Sequence, residues 1–102
     1  MNEQHIIWGT EVKYLLALTA PGFDMNTDNF CVDVSCSGKN IHFRKQDLVY
    51  DVGEDKWYLC FDTKYFRSGE IVATVTAYIT DGDFSDGIRD EVVRVKIGQL
   101  KK

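Results

Sequence analysis

Sixteen acidic residues, three cysteines and two histidines are the groups of this 102-residue chain able to do chemistry. The densest cluster is the run Asp81, Gly82, Asp83, Phe84, Ser85, Asp86, Gly87, with Asp90 and Glu91 just beyond. Hard cations take several oxygens from alternate loop positions, which makes Asp81, Asp83 and Asp86 the metal candidates of the sequence. The spacing departs from a calcium loop of the EF-hand kind. Glycine comes one place late, at Gly87, and Val92 stands where a bidentate acid is needed. The expectation is a solvated turn without a bound metal, in which Asp and Gly serve the backbone geometry.

Nucleophilic catalysis needs a serine or cysteine with a histidine in reach, and the histidines are His5 and His42. His42 lies between Ile41 and Phe43 in an alternating run, so it points away from the core. It reaches Cys31 or Cys60 only if the strands pair suitably, and an outward histidine is more often just solvated. No nucleophile elbow, phosphate loop or dinucleotide fingerprint occurs. Carboxylates are plentiful, but the sequence places none across a cleft from another. No catalytic residue and no cofactor is therefore expected. Cys31, Cys36 and Cys60 show no zinc spacing, and an odd count leaves at least one unpaired. They read as thiols of a reducing compartment or as small buried apolar groups.

Twelve basic against sixteen acidic residues give a net charge of −4, which disfavours nucleic acid and anionic membranes as partners. The most apolar run, Tyr14 to Ala20, is too short to cross a bilayer. Asn2, Glu3, Gln4 and His5 supply no basic start for a secretory signal. A cytoplasmic protein at synthesis is the expectation. The remaining candidates are aromatic: Tyr58 and Tyr78, with Trp8, are placed to stack on a sugar or anchor a protein contact. On a strand face the same residues also stabilise cross-strand pairs.

The elements that must position these groups are strands. Ile71, Ala73, Val75, Ala77 and Ile79 share one parity against Val72, Thr74, Thr76, Tyr78 and Thr80, the two-residue period of a half-buried strand. The period resumes after the acidic loop with Glu91, Val93, Val95 and Ile97, which predicts a long C-terminal hairpin. Phe30, Val32, Val34 and Cys36 define another strand, turned back at Ser37-Gly38-Lys39-Asn40 into Ile41 to Phe43. Trp57, Leu59 and Phe61 share one face of a further strand. Glu11 to Thr19 reads as strand in preference to helix, since it is short, lacks an amphipathic stripe and stops at Pro21-Gly22. Arg44 to Tyr50 is open between a helical turn and a strand. Asp62 and Thr63 are placed to cap one turn at a corner between sheets.

About seven short strands with turn signals between them predict an all-β protein, a two-layer antiparallel sandwich of immunoglobulin-like size. It forms a single domain over residues 1–102, with residues 1–10 a partly ordered lead-in that includes a short edge strand at His5 to Trp8. The strand Ile71 to Thr80 holds no cysteine to bridge to Cys36, so antibody kinship is not indicated.

Asp62-Thr63, Gly69, the run Val75-Thr76-Ala77-Tyr78-Ile79 and the loop from Asp81 to Arg89 together resemble small β-sandwich domains of phage and prophage tails. The likeness is to the N-terminal domain of baseplate upper proteins, and it covers Glu11 to Ile97 in pattern. The resemblance implies an architectural module without enzymatic activity, docking onto neighbouring subunits of a tail particle or virion. Its partners would be other structural proteins or a second copy. Thr74, Thr76 and Tyr78, with Tyr58, are the expected interaction surface, and Arg94 and Lys96 would blunt an exposed edge. The alternative is a small carbohydrate-binding or adhesion module that uses the exposed aromatics.

Overall fold

A computed structural model describes residues 5–102, which form eight strands. They are β1 (His5–Ile7), β2 (Glu11–Leu16), β3 (Asn29–Cys36), β4 (Lys39–Arg44), β5 (Val49–Asp51), β6 (Lys56–Asp62), β7 (Gly69–Thr80) and β8 (Ile88–Lys101). A five-stranded sheet in the order β1-β8-β7-β3-β4 faces a three-stranded sheet in the order β2-β6-β5. The architecture is thus the expected all-β sandwich, closed by a long β7–β8 hairpin. Residues 1–4 of the expected lead-in lie outside the described residues, and the rest begins with β1 as an ordered edge strand.

One pair departs from the antiparallel expectation. β1 runs parallel to β8, with His5 opposite Gln99 and Ile7 opposite Lys101. A hairpin forces antiparallel pairing only between strands it connects directly. β1 instead leads through Gly9 into β2 of the other sheet, so its direction against β8 is free.

The apolar parity of β7 forms the wall of the core. Ile71, Ala73 and Val75 are fully buried, and β3 runs beside the last two, with Val32 opposite Val75 and Val34 opposite Ala73. Leu16 of β2 and Leu59 and Phe61 of β6 cover them from the second sheet. Trp57, at the same parity as Leu59, is half-buried and meets the Phe30 ring edge-on at 5.7 Å. An irregularity at Ile71/Val72 shifts the β7–β8 register by one residue. Ile97 and Gly98 are consequently both buried, as a bulge allows and a regular strand does not.

The open stretch from Arg44 to Tyr50 contains both structures: a 3-10 turn over Lys45–Asp47, then β5. Asp47 accepts from the Arg44 backbone N–H at 2.9 Å and from its guanidinium at 3.2 Å. At the corner between sheets, Asp62 caps the turn Thr63–Tyr65 by accepting from the Lys64 N–H at 2.8 Å. Thr63 has a different task. Its side chain is fully buried, accepts from the Gly9 N–H at 2.8 Å and donates to the Thr10 carbonyl at 2.9 Å. It therefore ties the β6-to-β7 crossover to the β1-to-β2 crossover. Thr63→Val keeps the shape and the bond from the Thr63 N–H to the Thr10 carbonyl at 3.2 Å, but leaves the Gly9 N–H without its acceptor, and is expected to cost about 1–3 kcal/mol. Thr63→Ser should retain most of the stability in urea denaturation, and equal midpoints for the two variants would rule out this role.

Candidate functional site

The outer face of the five-stranded sheet brings together several polar side chains able to do chemistry. On β3 the residues between the buried ones, Cys31, Asp33 and Ser35, point outward, and β4 contributes Asn40, His42 and Arg44 beside them. β7 contributes Thr74, Thr76 and Tyr78 on the other flank. Asp33 lies directly between His42 and Thr74, and Cys31 between Arg44 and Thr76.

His42 Nδ1 lies 2.8 Å from Asp33 Oδ1, and the Asn40 amide donates to the same oxygen at 3.1 Å. Partial burial acts to raise the Asp33 pKa, but the hydrogen bonds from His42 and Asn40, with the charge of His42, outweigh it and hold the carboxyl below its usual range. The Tyr78 hydroxyl lies 3.4 Å from Cys31 Sγ. That hydrogen bond, with burial and the nearby Cys31, Asp90 and Asp33, pushes the Tyr78 phenol up to about 12. The ligand atoms of Cys31, Asp33 and His42 all lie within 4.8 Å of one another.

A phenol pKa raised in the folded state makes the neutral form the one that folding favours. Its contribution is complete below about pH 10, where the unfolded phenol titrates, and is lost as the pH rises through about 12. In an ultraviolet titration of tyrosinate, the increment removed by Tyr78→Phe should sit near pH 12. An increment near pH 10 would show that the phenol is not held by Cys31.

The other candidates are dispersed. Tyr58 and Cys60 alternate with the buried Leu59 and Phe61 and so face outward from the three-stranded sheet, on the side of the sandwich opposite Tyr78. Tyr58 is covered by Lys13, whose Nζ sits 4.4 Å from the ring centre. Trp8 packs against the core and donates to the Phe66 carbonyl at 2.8 Å. The three aromatics do not form one platform, because parity fixes that a side chain is outward but not on which sheet. His5 lies on β1 and His42 on β4, at opposite edges of one sheet.

In the acidic loop, Asp81 accepts from the Asp83 N–H at 3.0 Å and pairs with Arg89 at 3.2 Å, while Asp86 accepts from the Ile88 N–H at 3.1 Å. Gly87 takes φ +76° and closes the loop with its carbonyl on the Asp81 N–H. Asp81 and Asp86 are thus engaged in shaping the turn.

Sequence reasoning passed over Asp33 and Asn40, the two residues that hold His42. It also missed the rim around Trp57, where the indole donates to Asn26 Oδ1 at 2.8 Å and the Asn26 amide donates to Asp55 at 2.8 Å. A groove of about 390 Å³ runs beside this rim between Leu16, Phe23 and Trp57, and a second, of about 480 Å³, lies along Lys13 and Cys60. Neither groove is lined by Cys31, Asp33 or His42, which lie on the outward face of the five-stranded sheet. Comparison of the chain with protein-family models, curated proteins and solved structures gives no match. The functional reading therefore starts from the geometry of the sheets.

Proposed function

We propose that this chain is a non-catalytic structural module that docks onto a second subunit through a sheet edge, with another copy of itself as one partner it is suited to take. The observation that carries this reading is the edge of β8. Among the described residues β1 covers only Gln99 to Lys101, so the stretch from Ile88 to Arg94 has no strand on that side. Ile88, Val92 and Val93 are exposed along it. An open edge with apolar side chains is a template for strand addition.

The charges of the edge suit a two-fold pairing. An antiparallel contact centred on Val92 sets Asp90 of one copy opposite Arg94 of the other, and Val92 opposite Val92. Both residues face outward from the sheet in line with Val92, so each contact makes the charge pair twice. The resemblance to phage and prophage tail domains supports the same role, since those domains dock on neighbouring subunits of a baseplate or fibre, and a tail particle is where we place this module. Among the described residues no helix is long and apolar enough to cross a membrane.

Asp90→Lys sets like charges against Arg94 and is expected to weaken self-association by about tenfold or more, with Asp90→Lys/Arg94→Asp restoring it. Sedimentation of the tag-free variants checks this, and a swap that fails to restore association would contradict the two-fold pairing. The second reading, a carbohydrate module, draws on the groove beside Trp57 with its Asn26 and Asp55 rim. Glycan-array binding lost in Trp57→Ala, Tyr58→Ala or Tyr78→Ala, from a chain that does not associate, would favour that reading.

A further inference from the structure

We propose that Cys31, Asp33 and His42 form a binding site for a divalent transition ion of the zinc class, a role independent of the docking edge on β8. Each residue offers one ligand atom, and the three atoms lie within 4.8 Å of one another. Tetrahedral zinc with bonds of about 2.0–2.3 Å separates its ligand atoms by about 3.3–3.8 Å. The cluster thus needs only small side-chain rotations to close on an ion. Those rotations are open to it, because the Asp33 and His42 side chains are 35% and 53% exposed.

The backbone already holds the ligands together. Asp33 and His42 are directly opposed on neighbouring strands, and Cys31 is two residues along β3 on the same face. Ordering costs that a loop site would meet on binding are largely met by the sheet itself. The donor set is one sulfur, one nitrogen and one oxygen, which suits zinc and its neighbours and is poor for calcium or magnesium, whose ligands are oxygens.

The surrounding groups fit the same reading. Asn40 donates to Asp33 Oδ1 at 3.1 Å and fixes the carboxylate, as outer partners of metal ligands do. The Tyr78 hydroxyl, 3.4 Å from Cys31 Sγ, is placed to donate to a thiolate. Binding displaces the Cys31 thiol proton to solvent, leaving a thiolate and a carboxylate that together neutralise the ion's two charges. The fourth position faces outward from the sheet and is open to water. His42 Nδ1, which lies 2.8 Å from Asp33 Oδ1, turns to the ion together with it.

The test is titration of tag-free, reduced, chelator-treated protein with Co2+, followed by displacement with Zn2+. One equivalent should produce a thiolate-to-cobalt charge-transfer band and the visible bands of a tetrahedral ion, both removed by Zn2+. Cys31→Ser should abolish the charge-transfer band. His42→Ala should weaken binding by more than the roughly 10–100-fold that losing an outer partner costs. Cys60→Ser, on the opposite sheet, should change nothing. Circular dichroism confirms that each variant folds, which these outward positions permit. The proposal is overturned if stoichiometric Co2+ gives no such band, or if the band survives Cys31→Ser.

Discussion

Phe30→Ala is expected to remove about 3–5 kcal/mol of folding stability, the cost of deleting a large ring from a core that refills poorly. Phe30 is 1% exposed, and its ring is met edge-on by Phe23 at 6.2 Å and by Trp57 at 5.7 Å. Phe30 belongs to the five-stranded sheet, Trp57 to the three-stranded one, and Phe23 to the connection between β2 and β3. One truncation therefore loosens both layers and the loop that joins them. Lys45, whose Nζ lies 5.6 Å from the Phe30 ring and 5.3 Å from the Trp57 ring, would lose part of its seat as well. Urea denaturation measures the loss, with Val52→Ala, in an exposed turn away from the β8 edge, as a control expected within about 0.5 kcal/mol of the parent. A loss below about 1 kcal/mol at Phe30 would mean that the two sheets are not held together through this ring.

Gly69→Ala is the second large effect, and its cause is backbone geometry. Gly69 takes φ +151°, a conformation that side-chain-bearing residues rarely adopt, and an added Cβ would collide with Ser37 Oγ and sit 3.5 Å from Cys36 Sγ. The exposed Ser37 hydroxyl can clear the methyl only by rotating away from the Ser68 carbonyl to which it donates, which breaks the bond that joins the β3–β4 turn to the start of β7. Backbone strain of about 1–3 kcal/mol and the loss of that hydrogen bond add to an expected cost of about 2–4 kcal/mol. The two parts can be separated. Ser37→Ala removes the obstacle, so the double variant should be more stable than the sum of the two single losses predicts. Strict additivity would show that the collision does not occur.

Much of this fold was legible because burial follows parity. Ile71 to Ile79, Phe30 to Cys36 and Trp57 to Phe61 alternate strictly, and a strand with one buried face has little choice of register. The cap at Asp62 was legible for a local reason, since its acceptor meets the Lys64 N–H only two residues away. The parallel pairing of β1 was not, because nothing in His5 to Ile7 encodes which distant edge it joins. Nor was the full length of β8, which continues past the one-residue irregularity that breaks its period at Ile97 and Gly98.

The Cys31, Asp33 and His42 cluster could have been found. Ser37 and Gly38 both have positive φ and make a two-residue hairpin loop, so Cys36 opposes Lys39 and counting back sets Asp33 opposite His42. Placing His42 only against cysteines overlooked the aspartate across the hairpin. Tyr58 and Tyr78 failed as a shared platform for the converse reason. Two outward residues on different sheets have no local sequence mark of the sheet they belong to.

The docking element proposed for this molecule is the Ile88 to Arg94 edge of β8, with no pocket involved. Amide hydrogen exchange of the tag-free protein, read at low and high concentration, addresses that edge directly. Exchange in peptides covering Ile88 to Arg94 should slow as concentration rises, while β3 and β7, already paired on both sides, stay unchanged. Equal exchange along β8 at both concentrations, with protection appearing elsewhere, would rule out docking through this edge.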